Sequence, residues 1–162
     1  MSSSSPRREA TQYVTIGIDH EVFAISVEQV REILDLCPLT RLPNAPDFLA
    51  GMIDVRGQGV PVIELRRKLG LPSTTPTENT RIVVLEVQLD QRQITLGMVA
   101  DRVFEVTALD EQGMEGAPEV GVRWRSDYIQ AIGRRKGAFV IVFDLARLLS
   151  SEEIALIALE KS

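Results

Sequence analysis

The decapeptide VPVIELRRKL at residues 60–69 returns as VIVFDLARLL at residues 140–149, and this internal echo decides the architecture. Val60 falls on Val140, Glu64 on Asp144 and, just upstream, Gly57 on Gly137, an offset of 80 residues. Each copy is an apolar run too short for a buried helix, then an acidic residue, then a leucine-rich turn. That pattern reads as a strand running into one turn of helix. A second echo lies nearer the N-terminus: Ile25, Val27, Val30, Glu32 and Ile33 match Met98, Ala100, Val103, Glu105 and Val106 at an offset of 73. Two such matches mean one structural plan used twice.

Outward from the repeats, Val14, Ile16 and Ile18 alternate with Tyr13, Thr15 and Gly17, the period of a half-buried strand. Asp19-His20 predicts a tight turn before a strand over Val22 to Ile25. Ser26 and Gln29 have capping-box spacing, so Val27, Val30 and Ile33 are expected on one side of a short helix. Prolines 38, 43 and 46 make the next passage constrained and extended. A hairpin follows, Gly51 to Val55 and Val60 to Leu65 around Gly57-Gln58-Gly59. The Pro/Thr-rich segment at residues 71–80, LPSTTPTENT, is the clearest internal boundary. Beyond it, strands are expected over Ile82 to Val87, Gln93 to Val99, Tyr128 to Ile132 and Phe139 to Phe143, with a Gly-rich connection at 113–121 before Trp124. Ser150 and Glu153 can cap a last helix carrying Ile154, Ile157 and Ala158 on one side.

Each half thus reads as a hairpin, a short helix and a second hairpin ending in a helical turn. The predicted class is all-β with short helices, each half curling into a small barrel that removes its sheet edges. The halves should pack together, because neither has much core alone. Residues 1–11 form a flexible Ser-rich lead, and residues 150–162 a C-terminal helix and tail.

The 162 residues carry 18 Lys+Arg against 23 Asp+Glu, a net charge of −5, and 44% of them are hydrophobic. This is the composition of a folded soluble chain, long enough to bury about 70% of its surface without metal or disulfide. The acidic balance argues against a nucleic-acid partner, which would need a joined basic surface. Arg66-Arg67-Lys68 and Arg134-Arg135-Lys136 are short triplets, read as solvated faces. No apolar run is long enough to insert in a membrane and no secretory signal opens the chain, so a cytoplasmic protein is expected. Cys37, the single cysteine, reads as a buried or half-buried small hydrophobe, and no Cys/His set has metal-ligand spacing.

Enzyme chemistry finds little support. His20, the one histidine, sits in a turn, and G-x-S-x-G, H-E-x-x-H and G-x-G-x-x-G are all absent. Glu64 with Asp144, and Glu32 with Glu105, occupy repeat-equivalent positions. Duplicated carboxylates suggest turn capping or local ion pairs, since an acid/base couple needs two unlike environments. No catalytic, cofactor or metal residues are assigned. Arg56 is the most suggestive side chain, placed among Ile53, Val55 and Val60 beside a glycine turn. It could form a bidentate pair with Glu32, with Asp54 or with a partner's carboxylate, or stand alone in solvent.

The run RLPNAPDFLAG at 41–51, then Val55-Arg56-Gly57 and VPVIELR at 60–66, resembles the CheW-like family of bacterial chemotaxis coupling proteins. Val27-x-x-Val30-Arg31-Glu32-Ile33-Leu34, Val99-x-Asp101-x-Val103 and Leu148-Leu149-Ser150-Ser151-Glu152-Glu153-Ile154 extend the likeness across residues 12–158. The resemblance implies two interleaved five-stranded, SH3-like β-barrel subdomains and a non-enzymatic scaffold without cofactor. Its partners would be the cytoplasmic tips of methyl-accepting chemoreceptors and the regulatory domain of a chemotaxis histidine kinase.

By that resemblance, Val30, Glu32, Arg56 and Val103 would line the receptor-binding groove, with Arg56 oriented by Glu32. Gly51, Ile53, Gly57 and Pro61 would belong to the kinase-binding region. The protein would be a monomer outside the receptor array, recruited to the inner face of the membrane through it, and the stand-alone form without a receiver domain. Two departures stand out. The family's usual Asn-Leu-Arg-Gly is Asp54-Val55-Arg56-Gly57 here, and its usual Asp before Leu65 is Glu64. Asp54 would place a second carboxylate near Arg56 and could retune receptor preference toward a non-flagellar pathway. A nucleic-acid-binding small barrel and a catalytic domain with an unrecognised site are the readings from other classes.

Overall fold

A computed structural model describes residues 12–89, 92–109, 115–116 and 128–148. The predicted C-terminal helix from Ser150, the Trp124 region and the N-terminal lead lie outside the described residues. The strands in chain order are β1 (Gln12–Ile18), β2 (Glu21–Ser26), β3 (Val30–Asp35), β4 (Leu49–Val55), β5 (Gln58–Glu64), β6 (Arg81–Leu89), β7 (Arg92–Ala100), β8 (Arg102–Ala108), β9 (Glu115–Gly116), β10 (Ile129–Arg135) and β11 (Ala138–Phe143). Helices α1 (Leu65–Lys68) and α2 (Leu145–Leu148) are single turns, each following a hairpin.

The strands form two sheets, ordered β8-β1-β2-β11-β10-β9 and β3-β6-β7-β5-β4. Both curl into small barrels, so the chain is all-β with short helices, as the repeats predict. Strand for strand, β8, β1, β2, β11 and β10 correspond to β3, β6, β7, β5 and β4. The register proves the correspondence. Val142 lies opposite Ala24 in one parallel pair and Val62 opposite Gly97 in the other, which reproduces both sequence offsets at once. A bulge falls in the same place in each sheet, between Val14 and Ile16 against β8 and between Val30 and Glu32 against β6.

The barrels nevertheless differ from the expected halves. β3 follows β2 in the chain but pairs with β6, and β8 follows β7 but pairs with β1. Each barrel therefore draws strands from both sides of residues 71–80, because the chain crosses between sheets after each leading hairpin. The expected helix over Val27 to Ile33 is also overturned. Only Val27–Gln29 coil, as one 3-10 turn, and Ser26 Oγ accepts from the Glu28 N–H at 3.4 Å without closing a capping box. β-Branched Val30 and Ile33 then continue as β3, where the ladder to β6 outweighs a weak helical preference.

Three apolar clusters explain the burial. Val14, Ile16, Ile18, Phe23 and Ile25 of one barrel pack with Ile63, Leu65, Val83, Leu85 and Met98 of the other in a shared core, and Phe23 stacks on Phe143 at 4.6 Å. Ile53, Val60, Val62, Ile82 and Val84 fill one barrel, while Ala24, Leu109, Val140 and Val142 fill the other. Central strands such as β1 are consequently buried on both faces from Val14 to Ile18, and the half-buried alternation expected there is lost. Burying such side chains contributes about 1.5–3 kcal/mol each.

The β4–β5 turn is the two-residue Arg56-Gly57, one step before the expected Gly57-Gln58-Gly59. Val55 pairs with Gln58, and φ is 53° at Arg56 and 83° at Gly57. Lys136-Gly137 has the same pair of angles in the β10–β11 turn. Two successive positive φ values are the type I′ geometry that suits a twisted hairpin.

Candidate functional site

The β4–β5 turn lifts Arg56 to the rim of its barrel, where 72% of its side chain is exposed. There Nη1 donates to Glu32 Oε2 at 2.6 Å and Nη2 to Oε1 at 3.2 Å, a bidentate pair across the gap between β3 and the β4–β5 hairpin. Glu32 sits just after the β3 bulge, which aims it at the turn. The hydrogen bond and charge of Glu32 together make the guanidinium a weaker acid than usual. Planar, oriented and open to solvent on its far side, Arg56 can still donate to a partner's acceptor. Of the two carboxylates considered for it, Glu32 is the partner. Asp54 turns inward to the hairpin instead, where its Oδ1 accepts from the Gly57 N–H at 2.7 Å.

Val30 and Val103, the other two residues of the expected receptor groove, start the crossover strands β3 and β8 and are half-buried against the shared core. Val103 also lines a cleft of about 440 Å³ with Thr15, Val22, Phe104 and Val140. At that cleft Glu105 pairs with Arg135. This second pair escaped the sequence reading. Glu105 is the repeat counterpart of Glu32, but the repeat places Lys136, not Arg135, on Arg56, so the arginine partner stands one position early. Each barrel thus carries a glutamate on its crossover strand reaching an arginine at the opposite hairpin tip. Thr15 supports the second glutamate, its Oγ1 donating to the Glu105 carbonyl at 2.9 Å and accepting from the Glu105 N–H at 3.2 Å.

The four residues expected to meet a kinase lie on the same β4–β5 hairpin, but only Gly57 is exposed. Ile53 is buried in its barrel, Pro61 is buried on β5, and Gly51 is packed under Thr40. An ideal Cβ on Gly51 would stand 2.7 Å from the Thr40 carbonyl oxygen, and its φ is +155°. The Thr40 and Met52 backbones exchange hydrogen bonds of 2.9 and 2.8 Å at this point. These residues shape the hairpin, and its outward groups are neighbours such as Gln58 and Gly59.

Two sequence expectations about single residues fail. Cys37 is exposed, on the segment leaving β3. Arg66, read as part of a solvated triplet, is 9% exposed and bonded on all sides. Its Nε and Nη2 donate to Asp101 at 3.3 and 2.7 Å, and Nη1 donates to the Pro72 carbonyl at 3.0 Å. Lys68 of the same triplet lies over the rings of Phe48 and Tyr128. Glu64, ahead of α1, has its carboxyl pushed up by burial and makes no side-chain cap. His20 is exposed in its turn. Among the described residues there is no cluster of His, Cys, Asp and Glu that could hold a metal, and no helix is long and apolar enough to cross a membrane.

Comparison with known proteins agrees with the fold. The model of the CheW-like domain matches residues 12–153. A chemotaxis protein CheW of Klebsiella aerogenes is 33% identical over 146 residues, covering 90% of this chain and 86% of the relative. That of Bacillus subtilis is 32% identical over 140 residues, covering 86% of each. Among solved structures, the scaffolding protein TtCheW from Thermoanaerobacter tengcongensis has the same fold, with a TM-score of 0.79 at 23% identity over 91% of this chain and 92% of that one. On the family model and these identities, the chain belongs to the CheW-like domain family.

Proposed function

We propose that the protein is a coupling scaffold that holds the cytoplasmic tip of a chemoreceptor on one surface and the regulatory domain of a chemotaxis histidine kinase on another. It performs no catalysis. The carrying observation is the Arg56–Glu32 pair: a fixed, exposed guanidinium at a barrel rim, with Val30 two residues from Glu32, offers a directional donor beside an apolar ledge. A helical hairpin presenting an acceptor next to apolar side chains fits such a surface. The β4–β5 hairpin, shaped by Gly51, Ile53, Gly57 and Pro61, is the kinase-facing surface in this reading. The described part of the chain offers no helix that could cross a membrane, so recruitment to a cytoplasmic receptor array would run through the receptor. Weak contacts suffice there, because a lattice multiplies them.

The test is a chemical-shift titration of labelled protein with a receptor-tip fragment. Perturbation centred on Val30, Glu32, Arg56 and Val103 supports the receptor assignment. Saturable binding that leaves all four unperturbed refutes it.

A further inference from the structure

The repeat makes the two barrels alike, so a feature present, among the described residues, on only one side stands out. Arg66 on α1 is that feature. Besides its bonds to Asp101 and Pro72, it lies 3.5 Å from Asp19 Oδ1, and Asp101 Oδ2 accepts from the Asp19 N–H at 2.8 Å. The Asp101 N–H in turn donates to the Gly17 carbonyl at 3.0 Å. One guanidinium therefore gathers four segments: α1 at the end of β5, the connection at Pro72, the β1–β2 turn of the opposite barrel, and the β7–β8 crossover. At the repeat-equivalent positions stand Ala146 for Arg66 and Glu28 for Asp101, both exposed. The second crossover, Val27–Gln29, is an exposed 3-10 turn with no buried residue.

We propose that Arg66 is a positioning residue, the fixed pivot of the inter-barrel joint, while the Val27–Gln29 crossover is its compliant side. The shared core beneath is apolar and close-packed, and the directional contacts at its edges add to packing in fixing the angle between barrels. A planar guanidinium with oriented donors fixes direction as well as distance. Asp101 immediately precedes β8 and stands two residues before Val103, so the pivot sets where Val103 sits, and Val30, which begins β3 after the second crossover, moves relative to it. A joint held at one edge opens as a hinge about that edge.

The test measures the distance between spin labels on the two barrels, at exposed Gln88→Cys on β6 and Gln130→Cys on β10, in a Cys37→Ser background. Arg66→Met keeps much of the apolar stem and removes every donor. It should broaden the inter-label distance distribution by roughly twofold, while Arg67→Met, on the exposed neighbour, should leave it unchanged. If Arg66→Met does not fold, Asp19→Asn takes its place and should broaden the distribution in the same sense to a smaller extent. A folded Arg66→Met or Asp19→Asn protein with the parent distribution overturns the proposal. The readout contains no receptor or kinase, so its failure is distinguishable from failure of the coupling reading.

Discussion

Replacing Gly51 by alanine separates a hairpin-shaping role from a contact role. The added Cβ would stand 2.7 Å from the Thr40 oxygen, 3.2 Å from its carbonyl carbon and 3.0 Å from Leu39 Cβ. Two of these are backbone atoms, fixed by the Thr40–Met52 hydrogen bonds, so the strain cannot be relieved by turning a flexible side chain. Overpacking of this kind costs about 1–3 kcal/mol. A φ of +155°, rarely adopted by a residue with a Cβ, adds about 1–3 kcal/mol, and the lower entropy of the unfolded alanine chain offsets about 0.4–1 kcal/mol. The net expectation is a loss centred at about 3 kcal/mol within a span of roughly 1–5.5 kcal/mol. For a domain of this size the central value lowers the melting temperature by about 6–12 °C. Urea unfolding followed by circular dichroism would read it directly, with affinity for the kinase regulatory domain measured well below the transition. Stability within about 0.5 kcal/mol of the parent would refute the packing argument. Kinase affinity that stays near the parent's well below the transition and falls only as the variant unfolds on warming is what indirect shaping predicts.

Three further outcomes can be checked. Arg56→Glu breaks only a rim pair and places like charges side by side, so the protein should still fold cooperatively while its affinity for a receptor-tip fragment drops by about tenfold or more by calorimetry. Thr15→Val leaves both backbone groups of Glu105 without their shared partner and should cost about 1–3 kcal/mol in chemical denaturation, whereas the sheet equivalent, Val84, already lacks a hydroxyl and makes no such bond. The pH dependence of stability has two opposing limbs. Glu64 holds its proton more tightly when folded, so acidification from pH 7 through its raised range adds stability, and Glu64→Gln should abolish that rise. At Asp101 burial pushes the carboxyl up, but the Arg66 hydrogen bond and charge and the Asp19 N–H outweigh it. Its depressed value gives stability that is complete above the ordinary aspartate range and lost below about pH 4, a loss Asp101→Asn should remove from thermal melts across pH.

The duplication was legible because equivalent strands carry similar apolar patterns at fixed offsets, and the register of the two parallel pairs reproduces those offsets. Which strand joins which sheet was not legible. β3 and β8 are edge strands whose partners are set by where the chain crosses, and a local pattern such as Ser26-x-x-Gln29 carries no record of that. The Arg56–Glu32 pair could be proposed since both residues stand in recognisable runs, although sequence alone could not choose between Glu32 and Asp54. Glu105–Arg135 was hidden by its one-residue shift against the repeat. Arg66 was misread for a physical reason: a three-residue basic run looks solvated until its partners, Asp19 and Asp101, are brought in from distant turns.

A coupling scaffold must hold two partners on one molecule at once. The most direct measurement is sedimentation of the protein with a chemotaxis kinase regulatory domain and a receptor-tip fragment, alone and together. A coupling scaffold gives saturable one-to-one binding to each partner and a ternary species with both, and Arg56→Glu loses the receptor fragment while keeping the kinase domain. Mutually exclusive binding, or no binding to either partner at concentrations of about 50 µM, where a micromolar contact would be nearly saturated, would contradict it.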